Sequence, residues 1–368
     1  IIFFMQATQS LRFSRKDPKQ FFKTLNQRVN KYFKEKKVHK TGNWKLYLKT
    51  AVMFSLFITP YVLIIVLNIS LWYKLLLAIL MGVGMAGIGM NVMHDGNHGS
   101  FSRYPLINKI MGGSIYFLAG NVFNWKIQHN LLHHTYTNIL GHDEDLEAGR
   151  VLRFSKNAEW MPHHKFQHLY FFFLYGLLTI NWAIFTDLQQ MKRYMKKKLS
   201  YANSKRPSLQ WVGLLITKVM YWSVWIIIPM ILINAPWWSV LIGFVVMHYT
   251  AGLILSLVFQ LAHIMEDAEM PMPEASGTMK NTWAIHQLLT TVNFSTKNRF
   301  VNWFTGGLNH QIEHHIFPHI SHVHYTKIAE IVKKTAQEFN LPYNEYKTTR
   351  SAILSHFRFL KQMGMQPS

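Results

Sequence analysis

Two long stretches of the chain are almost free of charged side chains. Between Ala51 and Met93 the only charged residue is Lys74, and the stretch is interrupted at 68–70. Each arm is close to the ~20 apolar residues that a helix needs to cross a ~30 Å hydrocarbon core. Helices of soluble proteins rarely reach this length without a polar face, so the pattern predicts a transmembrane hairpin over 51–93.

A second apolar stretch runs from Trp211 to Ala262 and predicts a second hairpin with its turn at 234–238. Lys218 is its only charged residue, and we expect its amine to reach the membrane surface from the first arm. A third apolar segment, 168–185, would put basic segments on opposite sides if it crossed the membrane. We therefore expect that segment to lie in the membrane plane or to be re-entrant.

The rest of the chain is polar and strongly basic. Lys and Arg number 39 against 17 Asp and Glu, a net charge of +22, and residues 12–49 hold thirteen Lys or Arg against two acids. A basic excess indicates either nucleic-acid binding or loops that face an anionic cytoplasmic leaflet. Because the charges flank the predicted spans and no nucleic-acid-binding motif is present, we expect cytoplasmic loops and no nucleic-acid partner.

These patterns predict an all-α integral membrane protein with one domain over 1–368, about four spans, in-plane helices and a histidine-rich helical cap. In the N-terminal segment Phe21, Leu25, Val29 and Phe33 recur at helical spacing among basic residues. Such a helix lies either on the membrane surface or against solvent, and the sequence leaves both open. The expected regions are the basic N-terminal segment (1–49), the first hairpin (51–93), a polar region with an interfacial helix (94–210), the second hairpin (211–262) and a final polar region (263–368).

The histidines are clustered, and the chain has no cysteine. Lack of cysteine excludes disulfides, thiolate metal sites, cysteine-ligated iron–sulfur clusters and a catalytic thiol. Histidines four residues apart on a helix share one face, which is chelating spacing, although a single pair is weak evidence and also fits a surface or capping pair. Under the two-hairpin topology all clusters emerge on one membrane face. The candidate ligands are His94 and His98, then His129, His133 and His134, then His263, and finally His314 and His315.

Eight imidazoles exceed what one ion needs, so the sequence predicts two ions. Nitrogen-rich ligation suits zinc or iron, and no glutamate lies between His94 and His98 as zinc proteases require. Metal-ligating histidines usually donate their second N–H to a carboxylate or carbonyl. The nearby candidates, each equally explained by capping or charge balance, are Asp95, Asn97, Asn130, the run 143–145, Asp267 and Glu313.

At these motifs the chain resembles the membrane fatty acid desaturases, which carry three histidine boxes at the cytoplasmic ends of two transmembrane hairpins. The resemblance covers about 44–320. Gln311 opens the third box, as in the front-end desaturases, and the segments WKIQHNLLHHTYTN and NHQIEHHIFPHI are similar to the linoleoyl branch. The resemblance implies a diiron centre held by the eight histidines named above. It leaves Asp95, Asn97, Gln311 and Glu313 as supporting residues.

The implied enzyme is an O2-dependent fatty acyl desaturase, an oxidoreductase that reduces O2 to water. It would add a cis double bond on the carboxyl side of an acyl chain that is already unsaturated, carried by CoA or by a lipid. A haem-binding HPGG motif is absent and the roughly 45 residues before the first span are too few for a cytochrome b5 domain. We therefore expect electrons from a separate ferredoxin or cytochrome b5, and a bacterial inner membrane rather than endoplasmic reticulum.

Other readings remain open at this stage. A hydroxylase, ketolase or sphingolipid desaturase of the same superfamily would share the metal site, and a metal transporter would need polar groups through the membrane. We favour ordinary packing over a substrate-tunnel role for Trp125, Trp283, Gly84 and Gly87, and a hydrogen-bonded packing role for His248. We expect most remaining histidines to lie at the surface: His142, His163, His164, His286, His310, His319, His322 and His324.

Overall fold

The computed structural model describes residues 11–15, 20–146, 149–199 and 206–366, and these are largely helical. Within these described residues four helices are long and apolar enough to cross a membrane, which confirms the two predicted hairpins. They span 44–66, 71–98, 207–232 and 237–263. The first part of the chain forms β1 (Arg12–Phe13), α1 (Phe21–Lys36), α2 (Trp44–Val66), α3 (Leu71–Ile88) and α4 (His94–His98), with a π-helical turn at Gly89–Met93 that joins α3 to α4.

The first hairpin packs closely through glycines. A Cβ atom on Gly84 of α3 would lie 2.7 Å from the backbone nitrogen of Phe57 in α2, and one on Gly87 would lie 2.3 Å from the sulfur of Met53. Only glycine lets the two helices approach this closely. These two glycines therefore serve helix packing, the role favoured for them above.

The region between the hairpins is a series of short helices. Two of its helical segments, 162–176 and 178–196, meet at an angle of 56°, which is the geometry of a broken span or a re-entrant loop. Gly176 at the bend touches the last span, where a Cβ on Gly252 would lie 2.6 Å from its carbonyl oxygen. That this segment does not cross the membrane stays a prediction. The helices are α5 (Pro105–Gly112), α6 (Val122–Trp125), α7 (His134–Tyr136), α8 (Gln167–Gly176), α9 (Leu178–Asn181) and α10 (Asp187–Lys196), with π-helical turns at Lys126–His133 and Trp182–Thr186 and 3-10 turns at Gly113–Leu118, Glu144–Leu146 and Pro162–Phe166.

Lys218 does not reach the membrane surface, so that prediction is wrong. Its side chain is buried, and the amine lies 2.9 Å from a carboxylate oxygen of Asp187. It also donates to the carbonyl oxygens of Ala119 (2.6 Å) and Trp182 (2.7 Å). Partners brought from the region between the hairpins make burial of this charge tolerable. The second hairpin consists of α11 (Pro207–Trp222), a π-helical turn (Ser223–Ile227), α12 (Ile228–Leu232) and α13 (Trp237–His263).

The N-terminal helix belongs to the polar cap and does not lie on the membrane. Its four apolar residues, including Leu25 and Val29, are at most 5% exposed and pack against residues such as Ile328 and Val332. Arg28 adds an ion pair with Glu338 at 2.6 Å. The membrane-surface reading of α1 is therefore wrong, because its apolar face is covered by protein.

Two short pairs of parallel strands join segments of the polar cap that are distant in sequence. Arg12 and Phe13 pair with Thr278 and Met279, and Asn293 and Phe294 pair with Glu345 and Tyr346, both in the parallel sense. The remaining elements are β2 (Thr278–Met279), α14 (Trp283–Thr290), β3 (Asn293–Phe294), α15 (Arg299–Phe304), α16 (Gln311–Ile316), a 3-10 turn (His322–His324), α17 (Tyr325–Glu338), β4 (Glu345–Tyr346) and α18 (Thr349–Met363).

Candidate metal centre

Helix ends bring the histidine motifs together on one side of the spans. The second span runs through a π-helical turn at 89–93 into α4, which carries His94 and His98. The second motif lies on another π-helical turn, 126–133, and the third on the short helix α16. These positions place all eight predicted ligands near one end of the two hairpins. Two of the motifs involve π-helical turns, which are rare and occur often at functional sites.

Their ring nitrogens form overlapping groups whose atoms lie within 4.8 Å of one another. One group combines His94, His98 and His129 with His314, so it draws on all three motifs. Seven of the eight rings are buried, and His98 is partly exposed. The other groups are His133, His263 and His315; His134, His314 and His315; and His129, His133 and Asp145.

Several of these histidines are held at one ring nitrogen by a partner outside the cluster. Such a contact fixes the ring orientation and tautomer and leaves the other nitrogen free for a metal. The Nδ1 contacts are His129 to Asp145 (3.3 Å), His133 to Asp143 (3.0 Å), His263 to the carbonyl of Thr290 (3.3 Å), His314 to Tyr325 (3.1 Å) and His315 to Gln287 (2.9 Å).

Several of the other ring nitrogens are buried without a hydrogen-bond partner among the described residues. This holds for Nε2 of His98, His263, His314 and His315, and for both ring nitrogens of His134. The Nε2 atoms of His94 and His129 face each other at 3.3 Å. A buried polar atom without a partner is costly, so a cluster of them needs a ligand. Converging imidazole lone pairs fit a borderline metal ion, and these residues could hold one.

The electrostatics of the cluster also favour metal binding. Burial, with repulsion from neighbouring imidazoles, holds the pKa of His134, His314 and His315 well below the usual range. These rings are therefore neutral at pH 7 and present a lone pair. His133 differs: burial lowers its pKa, but the carboxylates of Asp143 and Asp145 outweigh this and raise it to about 9. A bound cation would take the place of that proton.

Comparisons with known proteins identify the family. A family model described as fatty acid desaturase matches residues 70–347. The chain is 37% identical to an sn-1 linoleoyl-lipid 6-desaturase of Arthrospira platensis, over 94% of this chain and 93% of that protein. The chain belongs to the fatty acid desaturase family. A protein of the same name from Synechocystis is 35% identical, over 98% of this chain and 99% of its own length.

Another relative of the desaturase is an acyl-lipid (8-3)-desaturase of Physcomitrium patens. It is 32% identical over 98% of this chain and 75% of that protein. The names of these three relatives agree with the front-end, linoleoyl-type branch predicted from the second and third histidine motifs. The desaturase is thus an oxidoreductase and a multi-pass membrane protein.

The supporting residues proposed from sequence lie around the histidine cluster, but the hydrogen bonds described below join them to residues other than the eight histidines. Asp95 accepts from Ser321 at 2.7 Å and lies 3.0 Å from the His322 ring, while Asn97 donates to the carbonyl of Gly112. Glu313 accepts from Asn293 and Tyr343. The amide of Gln311 is buried and has no hydrogen-bond partner among the described residues. Their roles at a bound metal stay predictions.

Three residues that contact the ligands gave no recognisable signal in the sequence. Gln287 and Thr290 lie on α14, 28 and 27 residues from the histidines they contact, and Tyr325 begins α17, eleven residues after His314. Asp143 and Asp145 contact His133 and His129 from ten and sixteen residues away, and the acidic run that contains them is a sequence candidate. An acidic run between motifs is visible in the sequence, whereas a lone glutamine or tyrosine is not.

Two tryptophans also lie against the centre. Trp125 stacks on the ring of His129 at 4.5 Å and meets His94 edge-on at 5.8 Å. Trp283 donates its indole N–H to the carbonyl of His134 at 2.9 Å. Both therefore pack on the histidine motifs.

Five of the eight remaining histidines are buried, so the surface prediction for them is wrong. They are buried because each ring lies between segments that fold together: His286 contacts the Thr137 carbonyl at 2.8 Å, and His324 contacts that of Thr41 at 3.2 Å. His142 is half-buried, and His163 and His319 are exposed. The buried five are His164, His286, His310, His322 and His324.

Proposed function

We propose that this desaturase inserts a cis double bond on the carboxyl side of an acyl chain that already carries one, within a membrane lipid. The linoleoyl-lipid names of the two cyanobacterial relatives support this choice of substrate. The observation that carries the proposal is the convergence of eight histidines in a buried cluster, where six of them have a ring nitrogen without a hydrogen-bond partner among the described residues.

Two iron ions would occupy the cluster. One set of ligands would be His94, His98, His129 and His314, and the other would contain His133, His263 and His315, with His134 between them. When bound, the irons would supply the O2-dependent oxidation that an unactivated C–H bond requires. The first two of these sets share no residue, which supports a count of two ions.

The surrounding residues hold the ligands in place. Asp143 and Gln287 fix the rings of His133 and His315, each through a contact at Nδ1 of 3.0 Å or less. The indole of Trp125 stacks on the ring of His129 and covers that side of the cluster. Such fixed neighbours keep the ligands from reorganising during a reaction. Adjacent carbons of an acyl chain held beside this cluster would be positioned for removal of two hydrogens.

A separate acidic protein, a ferredoxin or a cytochrome b5, would deliver the electrons. The helix α1 and the residue that follows it expose five lysines on the polar cap, which would steer such a donor electrostatically. Those lysines are Lys23, Lys31, Lys34, Lys36 and Lys37. Reduction kinetics with purified donors should slow steeply as salt increases, and a rate independent of ionic strength would contradict this part of the proposal.

The polar cap would lie on the cytoplasmic side, in a bacterial inner membrane. The basic residues of the cap and its connecting segments support this orientation through the positive-inside rule. To test this orientation, a reporter that is active only in the cytoplasm would be fused after residue 366. Activity of a periplasm-dependent reporter at the same site would overturn the orientation.

Product analysis tests the reaction itself. The chain would be expressed in a bacterial host supplied with linoleate, and the lipids would be analysed by mass spectrometry with double-bond mapping. We expect a new double bond between the existing one and the carboxyl end. A hydroxylated product without new unsaturation would assign the chain to a hydroxylase or ketolase, and metal uptake without any lipid product would assign it to a transporter.

A further inference from the structure

A cavity of about 400 Å³ lies at the end of the hairpins opposite the metal centre. The turns of both hairpins form its mouth, with Trp72 at the start of α3 and Trp238 at the start of α13. Met81, Trp225 and Met247 line its inner part. Since α3 and α13 run from these turns to the histidines, the cavity and the metal centre lie at opposite ends of the same two helices.

Packed side chains separate the cavity from the metal centre. Met81 precedes His94 by thirteen residues along the span, which is about 20 Å at ~1.5 Å per residue. Met85 and Ile88, between them, are fully buried, and Ala251 and Leu255 fill the corresponding part of α13. The cavity is therefore a separate site from the histidine cluster.

A single cation stands among the apolar residues of the cavity wall. Lys74 is the only charged residue among the lining side chains, and its amine donates to the carbonyl oxygen of Ile64 at 3.0 Å. Among the described residues no carboxylate lies within ion-pair distance of it. Its remaining N–H groups are available to an anion. Two tryptophans at the mouth mark the level of lipid headgroups.

We propose that this cavity binds one acyl chain of an anionic glycerolipid from the leaflet that faces the hairpin turns, with the phosphate of its headgroup on Lys74. The apolar lining fits a hydrocarbon chain, and the lone ammonium fits a phosphodiester. Lipid surrounds the spans, so such a molecule reaches the cavity directly. The bound lipid would join the two hairpins at the end where no polar cap holds them. It would be distinct from the substrate, which must reach the histidines.

Gly243 offers a way to fill the cavity without disturbing the fold. It lines the cavity, and a Cβ atom there would meet no other atom within 4 Å. Gly213 also has open space beside it but lies on α11 at an exposed position outside the cavity. Gly243→Leu and Gly213→Leu thus add the same side chain to the middle of a span, and only the first removes space for a lipid chain.

The test counts lipids bound to the full-length protein. Protein reconstituted in nanodiscs of phosphatidylglycerol and phosphatidylcholine would be released into the gas phase, and retained lipids would be identified by native mass spectrometry. We expect one retained phosphatidylglycerol in wild type and in Gly213→Leu. We expect about tenfold less in Gly243→Leu, because displacing two methylene groups from an apolar site weakens binding about that much.

Lys74 variants test the headgroup contact. Lys74→Gln should abolish the preference for phosphatidylglycerol over phosphatidylcholine, whereas Lys74→Arg, which keeps the charge, should retain it. Equal retention of both lipids by wild type would overturn the headgroup assignment. Unchanged retention in Gly243→Leu would overturn the site. If that variant instead altered the chain lengths of the products while retaining phosphatidylglycerol, the cavity would belong to the substrate path and the proposal would be wrong.

Discussion

Buried histidines occur in two regions of this desaturase, and the two regions differ in how many ring nitrogens have a hydrogen-bond partner. Inside the spans, His248 uses both ring nitrogens: Nε2 lies 2.5 Å from the hydroxyl of Tyr221, and Nδ1 lies 2.9 Å from that of Thr179. This agrees with the packing role favoured for it from sequence. At the ends of the spans, rings such as His315 are bonded on one side only. The fold can therefore satisfy a buried imidazole fully, and it leaves nitrogens unpaired where they converge.

The largest expected effect separates these two kinds of histidine. His133→Ala should lower desaturase activity by more than about 100-fold, the upper value for loss of an outer partner, and should lower the iron content per chain. His248→Gln should retain iron while lowering thermal stability, because it breaks a satisfied network. Metal analysis and product assays on both variants make the comparison, with the exposed His163→Ala as a control. Loss of iron from His248→Gln alone would reverse the distinction.

The buried ion pair of Lys218 and Asp187 extends the comparison from histidines to an ammonium and a carboxylate group. Lys218→Met should destabilise the protein by about 3–5 kcal/mol, because it leaves the carboxylate of Asp187 buried without its partner. Replacing both residues, Lys218→Met with Asp187→Leu, should recover much of that loss. Thermal unfolding in detergent measures both, and Lys327→Met, which breaks an exposed pair with Glu330, should change stability by less than ~1 kcal/mol. A double variant as unstable as the single one would contradict this account.

Residues that hold the ligands should affect metal affinity more than folding. Asp143→Asn removes the carboxylate that contacts His133 and should weaken metal binding about 10–100-fold. Asp267→Asn is the matched control, since Asp267 contacts Tyr346 at an exposed position. Metal titration of the apo-forms of Asp143→Asn and Asp267→Asn gives the ratio of their metal affinities. Equal affinities would show that the contact at His133 does not support the metal.

The last expected effect is a dependence of apo-protein stability on pH. Burial lowers the pKa of His129, His134, His314 and His315, so the folded protein resists protonation that the unfolded chain accepts below about 6.5. Their contribution to stability is fully present above that value and is lost as the pH falls from there. Unfolding midpoints between pH 8 and pH 5 should therefore decline on the acidic side. A flat profile would indicate that these rings are already solvated.

The features predicted correctly from sequence depend on local patterns. The spans follow from the length of apolar runs, and the histidine motifs follow from helical spacing, which needs no knowledge of the tertiary fold. The failures depend on distant partners. The sequence predicts Lys218 at the membrane surface because nothing near it in sequence indicates Asp187. It leaves open whether α1 faces the membrane or solvent, because α17, which packs on α1, lies about 300 residues away. Gln287 lies 28 residues before His315, which it contacts, so no local pattern indicates it either. Tyr325 lies only eleven residues after His314, but a lone tyrosine carries no pattern that marks it as a partner.

The turn at Gly89–Met93 has a consequence for anyone who would transplant this hairpin into another scaffold. A π-helical turn holds about one residue more than the α-helical turn it replaces, so it shifts the side-chain register downstream by about 100°. Deleting one residue there would let the helix relax, and the imidazoles of HDGNH would rotate away from the other motifs. Engineering of this metal centre must therefore conserve angular register along the helix as well as residue identity.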